Sequence, residues 1–362
     1  MENKDNQIDN NTIKSPPLFR GFNCGKIKKI TKEKYLVLLI LFSTVVVISF
    51  SVYYFVTNQQ LNWQSFITHQ PGPKDYRLLD GKSVASEKIA LKPIVVMLEN
   101  HTESRPTAGL EYASIIYETI VEGDITRFLA VFDGEISAKK IGPVRSVRPF
   151  FIEIAEEWDG VLFHAGGSKD AIYKLTYSSV YNVNEISGDG IYFWRDNNRE
   201  MPHNLFTSAD QIKRAIEAKN IKTEADFSPW LFKKDQPAGE SGSINNIEID
   251  FSGNPLYQVK YEYNQENNNY ARYLAGKVHK TDRGIILKTK NIVLQYVDYD
   301  IIDSYGRLDI NLTSGGKAEI YQDGRMIKGY WQKSKNRTRF YNQDNEEIRF
   351  NRGTIWVELL FR

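Results

Sequence analysis

A run of about 22 residues without a single charge, Tyr35 to Val56, divides this chain into two unequal parts. As an α-helix rising about 1.5 Å per residue, it reaches across the roughly 30 Å hydrocarbon core of a bilayer. Lys26, Lys28, Lys29, Lys32 and Lys34 stand just before it, and the next charged residue after it is Lys74. That asymmetry puts the N-terminus in the cytoplasm and everything after Val56 outside, as a single-pass membrane protein. Ser49-Phe50-Ser51 offers a weak cleavage site, but apolar and aromatic residues continue past it, which favours an uncleaved signal anchor. The single cysteine, Cys24, precedes the run, so it is not placed as the lipid-modified cysteine of a lipoprotein signal, and the outer part has no disulfide.

The fold class expected is α+β: an N-terminal transmembrane helix, then a mixed α/β domain, then an all-β domain of sandwich or barrel form. Residues 1–34, rich in Asn, Lys and Asp, read as a disordered cytoplasmic tail. Residues 57–90, with Gln70-Pro71-Gly72-Pro73, read as an extracytoplasmic tether. Over 91–228, strand-length apolar runs (Pro93 to Leu98, Ala113 to Val121, Thr126 to Phe132, Gly160 to His164) alternate with helical patterns after Pro149, Ser168 and Ser208. Glu122-Gly123-Asp124 between the second and third runs predicts a hairpin. The stretch 229–243 contains Pro237, Gly239 and Gly242 and reads as a linker; from 244 to 362 the apolar period becomes two, as in Ile247, Ile249, Phe251 and Val259, Tyr261, Tyr263. A hydrophobic fraction of 41% supports folded cores, and the interspersion of Lys+Arg 47 with Asp+Glu 45 argues against a nucleic-acid partner.

Ile141-Gly142-Pro143-Val144-Arg145-Ser146-Val147-Arg148-Pro149 joins a chain-bending Gly-Pro to a helix start with two arginines at the joint. Either Ser146 is the N-cap or Pro149 is the first helical residue. Beyond it Phe150 or Phe151, Ile154 and Trp158 form one apolar face. A helix start beside Arg145 and Arg148 suits a carboxylate or phosphate; alternatively both arginines pair with the chain's own carboxylates. Around this joint the candidate ligand-binding residues are Arg127, Arg145, Ser146, Arg148, Ser168, Arg195, Arg199 and Asn204. Candidates for acid/base work are Glu122, His164, Asp196 and His203, or else these order the loops as a buried polar network. No two histidines stand three or four residues apart, so a zinc set would have to come from distant segments, and neither metal nor other cofactor is expected. There is no G-x-S-x-G elbow, and Ser314-Gly315-Gly316-Lys317 lacks the flanking residues of a P-loop.

Several motifs occur in a recognisable order: Val121-Glu122-Gly123-x-Ile125-Thr126-Arg127-Phe128, Gly142-Pro143-Val144-Arg145-Ser146, His164-Ala165-Gly166-Gly167-Ser168, Phe193-x-Arg195-Asp196 and Arg199-x-x-Pro202-His203-Asn204-Leu205. Tyr270-x-Arg272, His279-x-x-Asp282 and the Gly324 to Trp331 region follow. From about Lys92 onward this pattern resembles the YerB-like family of bacterial envelope lipoproteins. The resemblance implies two consecutive domains outside the membrane of a mostly Gram-positive type of bacterium, and it implies no biochemical activity. Family members commonly carry a lipobox cysteine, from which this chain departs. The function expected is that of a membrane-anchored envelope protein binding an anionic or glycan component such as a cell-wall polymer. The alternatives are a hydrolase or transferase acting on that material, and a scaffold docking another envelope protein.

Overall fold

Ile94–Glu99 forms β1, and its side chains divide strictly between two cores: Val95 and Met97 enter one, while Ile94, Val96 and Leu98 enter the other. A strand buried on both faces needs a layer on each side of its sheet, and the remaining elements supply those layers. The structure, a computed structural model, describes residues 32–68, 76–236 and 242–362. Most of the expected tail, part of the tether and the middle of the expected linker lie outside the described residues. The chain forms two compact units, 1–70 and 71–362.

In the first unit, α1 (Lys32–Thr68) is one helix of 37 residues, and its described apolar side chains from Leu36 to Tyr54 are exposed. Among the described residues no helix is long and apolar enough to cross a membrane. The longest stretch of α1 with described side chains, 39–54, is itself shorter than a span.

The second unit is mostly strand with few helices. Its first part holds β1, β2 (Ile115–Ile120), β3 (Thr126–Phe132), α2 (Pro149–Glu157), β4 (Val161–His164), α3 (Lys169–Leu175), β5 (Tyr181–Asn184), β6 (Trp194–Arg195), β7 (Leu205–Phe206) and α4 (Ala209–Ala218). Then come β8 (Leu231–Lys233), β9 (Asn246–Ile249), β10 (Val259–Asn264), β11 (Asn269–Leu274), β12 (Lys277–Val278) and β13 (Lys288–Thr289). The last are β14 (Asn291–Ile301), β15 (Leu308–Asn311), β16 (Gly316–Gln322), β17 (Arg325–Ser334), β18 (Arg337–Asn342), β19 (Arg349–Asn351) and β20 (Ile355–Phe361).

The expected hairpin is present: β2 and β3 pair antiparallel, with Gly123 and Asp124 both at positive φ in the turn. The main sheet runs β18-β17-β16-β14-β20-β2-β3-β1-β4-β5, with β15 beside β14. Its central strand is β20, parallel to both β14 and β2. Strands from both sides of 229–243 therefore share one sheet. The sandwich or barrel expected for 244–362 does not close by itself: β14 to β18 and β20 extend the sheet that β1 to β3 begin. Meanwhile β9 to β13 form a second, five-stranded sheet. Tyr261 and Tyr270 of that sheet pack in one core with Phe128, Phe163 and Trp356 of the main sheet. On the other face, both Phe150 and Phe151 of α2, with Ile154 and Trp158, fill the second core. This is the amphipathic face the sequence spacing predicts.

Candidate functional site

β1 ends at Glu99, opposite Arg127 of β3, and the chain then turns through Asn100 and His101 into a 3-10 turn, Thr102–Ser104. The segment after Gly142-Pro143 runs along this strand end: the Glu99 N–H donates to Pro143 O at 2.9 Å and the Arg145 N–H to Met97 O at 3.0 Å. On its other side it holds the 203–207 stretch, through Val144 N–H to Leu205 O at 2.7 Å and Ile141 paired with Thr207. Gly142, at φ +152°, is pressed so closely that a Cβ there would lie 2.6 Å from a Phe206 ring carbon. These backbone contacts bring together three pieces of chain, each carrying charge.

Arg145 Nη2 lies 2.8 Å from Glu99 Oε1. The second oxygen, Glu99 Oε2, lies 3.0 Å from His203 Nδ1, and His203 Nε2 lies 3.1 Å from Glu103 Oε2. Glu99 Oε2 and His203 Nδ1 are within ion-pair distance, yet both are buried and neither finds an aligned hydrogen-bond partner. The His203 ring stacks on His101 at 4.8 Å, nearly parallel. Beside this group, Arg148 grips Glu122 with two donors, Nε to Oε2 at 3.0 Å and Nη2 to Oε1. Burial works to raise the Glu122 carboxyl, but the hydrogen bond and charge of Arg148 outweigh it and hold the group below the usual range. Arg127 is buried, donates to Ser146 O at 2.9 Å, and reaches Glu122 only at 3.9 Å. Burial, and after it repulsion from Arg148, drives its pKa down. Since a guanidinium does not deprotonate in a protein, this marks a positive charge short of compensation.

Other expected residues are placed differently. Ser146 does not cap α2: its hydroxyl donates to Ala165 O at 2.8 Å, and Pro149 is the first helical residue with Arg148 at the N-cap. Phe151 and Ile152 both donate to Arg148 O, so that helix start is largely self-satisfied and offers an anion less than the sequence implies. His164 is fully buried, its ring nitrogens near Gly166 O and Asn182 Oδ1, and burial lowers its pKa and keeps it neutral. It takes no part in the cluster. Ser168 caps α3 through the Ala171 N–H. Asp196 pairs with Lys140 at 2.6 Å. Arg195 donates to Asn204 Oδ1 at 3.0 Å and approaches Glu185. Arg199 donates to Ser104 O and Pro106 O, each at 2.7 Å, pinning the turn that carries Glu103. Arg195, Arg199 and Asn204 thus build the loop rather than line the cluster.

Glu99, His101 and Glu103 are not among the residues that the sequence analysis singled out. Three ionisable residues within five positions, at the end of an otherwise apolar strand and in the turn that follows it, are the signal that marks them. A cavity of about 500 Å³, lined by Lys92, Glu135, Ile136, Asp210, Lys213 and Glu217 among others, shares no residue with the cluster. The cluster instead opens to solvent through Glu122, Arg145, His101 and Glu103.

Comparison with known proteins gives matches along the same stretch. Residues 79–222 match the N-terminal domain of a family described as protein of unknown function (DUF3048), and residues 247–357 match its C-terminal domain. The putative lipoprotein YerB of Bacillus subtilis (strain 168) is 33% identical over 287 residues, covering 78% of this chain and 85% of that protein. A crystal structure of YerB from Bacillus subtilis superposes with a TM-score of 0.72 at 31% identity, covering 79% of this chain and 96% of the other. The order of motifs, the two matched segments and the shared fold agree, and the chain belongs to the YerB-like, DUF3048 family.

Proposed function

We propose that the protein is held at the outer face of a cell membrane and binds an anionic component of the envelope at the Arg127, Arg145 and Arg148 cluster. Anchoring is supported by the uncharged run 35–56 behind its lysine flank, and by likeness to a relative described as a putative lipoprotein. The present chain achieves by a helix what a lipid does elsewhere, since Cys24 precedes the run.

The observation that carries the binding reading is the imbalance at the cluster. Three guanidinium groups share the two carboxylates Glu99 and Glu122, and the most buried of them, Arg127, has the weakest carboxylate contact. An incoming phosphate or carboxylate relieves that imbalance, and planar arginine donors are well matched to it. Binding is favoured over turnover because Glu122 is gripped by Arg148, Asp196 by Lys140, and His164 is buried.

The test uses the full chain in detergent, titrated with an oligomer of glycerol phosphate and, separately, with an uncharged glucan. The charged oligomer should bind with an affinity that falls as salt rises, and the glucan should not. Replacing Arg145 and Arg148 together by Gln should weaken binding at least tenfold, whereas Arg148→Lys should retain part of it. Unchanged binding in the double variant, or equal binding of the uncharged glucan, overturns the reading.

A further inference from the structure

His101, Glu103 and His203 each offer a donor atom, and these three atoms lie within 4.8 Å of one another. We propose that they form a binding site for a divalent cation of the zinc class, with Glu99 as the carboxylate that orients His203.

The donor chemistry is two imidazoles and one carboxylate, a set that favours borderline transition ions over magnesium or calcium, which prefer oxygen alone. Three protein ligands leave a position open, the arrangement of sites that take a further oxygen from water or a bound molecule. The flanking contacts have the form of a metal site's outer layer. A ligating histidine usually donates its second ring N–H to a carboxylate, and His203 Nδ1 faces Glu99 Oε2 at 3.0 Å while Nε2 faces Glu103. Glu99 is in turn fixed by Arg145 at its other oxygen.

The independent sign of an occupant is the state of the buried partners. Glu99 is 3% exposed and His203 9%, and Glu99 Oε2 and His203 Nδ1 have no aligned hydrogen bond. Polar atoms in that state are costly unless something turns or charges them. A cation on Nε2 places the ring proton on Nδ1 and strengthens its hold on Glu99. It also accounts for the company of Glu103, a largely exposed carboxylate that touches both rings. His101 Nδ1 now accepts the Glu103 N–H at 3.3 Å, and its ring lies parallel to that of His203. Parallel rings direct their lone pairs side by side, so binding turns the His101 ring out of the stack. His101 is partly exposed and has room to do so.

The assignment stands apart from the anion reading, because it concerns the metal alone. Untagged full chain in detergent, stripped with a chelator, is titrated with Zn²⁺ and, for its visible spectrum, with Co²⁺. The expected result is one equivalent bound per chain, with cobalt bands of a four- or five-coordinate nitrogen and oxygen site. His203→Ala and His101→Ala should each lower affinity at least a hundredfold. Glu99→Gln should lower it about 10- to 100-fold while keeping one equivalent, as loss of an orienting carboxylate does. Glu103→Gln guards against misfolding as an explanation: its side chain is exposed, so the variant should melt like the wild type yet bind metal more weakly. Absence of stoichiometric binding, or binding indifferent to His203→Ala and Glu103→Gln, overturns the site. Binding of the phosphate oligomer in the presence of chelator is a separate measurement, so failure of one proposal leaves the other standing or falling by its own result.

Discussion

Glu118 of β2 and Arg272 of β11 form an ion pair in which both side chains are fully buried, joining the main sheet to the second sheet across 154 residues of sequence. Around it, Asn100 and Thr126 donate to the other oxygen of Glu118, while Arg272 contacts Tyr261 and His279 and lies over the Trp356 ring. Burial, then repulsion from Glu118, pushes the nearby Glu358 carboxyl well above its usual range. That direction favours the neutral form of Glu358 and leaves Glu118 as the partner of the single guanidinium charge.

From this asymmetry the two carboxyls should respond differently to the same substitution. Glu118→Gln, or Arg272→Met, strands a buried charge and should cost about 3 to 5 kcal/mol. Glu358→Gln replaces one neutral group by another of similar shape and should cost under about 1 kcal/mol. Urea unfolding of the three variants decides it, and equal losses for Glu118→Gln and Glu358→Gln contradict the assignment.

Stability should decline as pH falls from about 6.5 toward 5. Burial lowers the pKa of both His164 and His279, so below the ordinary value the unfolded chain takes up protons that the folded chain refuses. Each such histidine contributes at most about 1.4 kcal/mol per pH unit in that window and nothing above it. His164→Asn should flatten the dependence of melting temperature on pH by its share. Asp80 and Glu122 add a second decline at lower pH: one carboxyl is buried and the other partly buried, but Arg77 and Arg148 hold them below the usual range, so their contribution is lost as they protonate. A profile flat from pH 7 to 5 is incompatible with this account.

Gly142→Ala should damage the cluster from outside it. Its Cβ would meet Phe206 and the Leu205 carbonyl, pushing apart the backbone that carries Arg145 and the stretch that carries His203. Overpacking of this kind costs about 1 to 3 kcal/mol. Thermal melts should show that loss, and binding of the phosphate oligomer should weaken although no charge has been removed. Wild-type affinity in a destabilised variant would separate the backbone contact from the site.

Local periodicity made the strands, the β2–β3 hairpin and the apolar face of α2 legible, because each is a pattern within a dozen residues. Pairing of Arg148 with one of the chain's own carboxylates was one of the two readings the sequence left open, and the structure supplies Glu122, at the start of the β2–β3 turn. His203 against Glu99 was not legible, because that contact exists only after the 141–148 stretch has docked on β1 and the 203–207 stretch on it in turn. Likewise nothing in the alternation of 355–361 announces parallel neighbours on both sides. Parallel pairing carries no turn signature, so the sequence reads as a separate β domain where the chain in fact continues a sheet begun far upstream.

That continuation sets an order of events in the life of the chain. Thr119 bonds to Leu359 O across 240 residues, and until β20 arrives the edges of β2 and β14 each present a row of unsatisfied amides. Contacts so distant in sequence close slowly. Until β20 has emerged, the strands on either side of it therefore have no partner on that side, and the main sheet is completed only when one of the latest strands of the chain slots between two that were made before it.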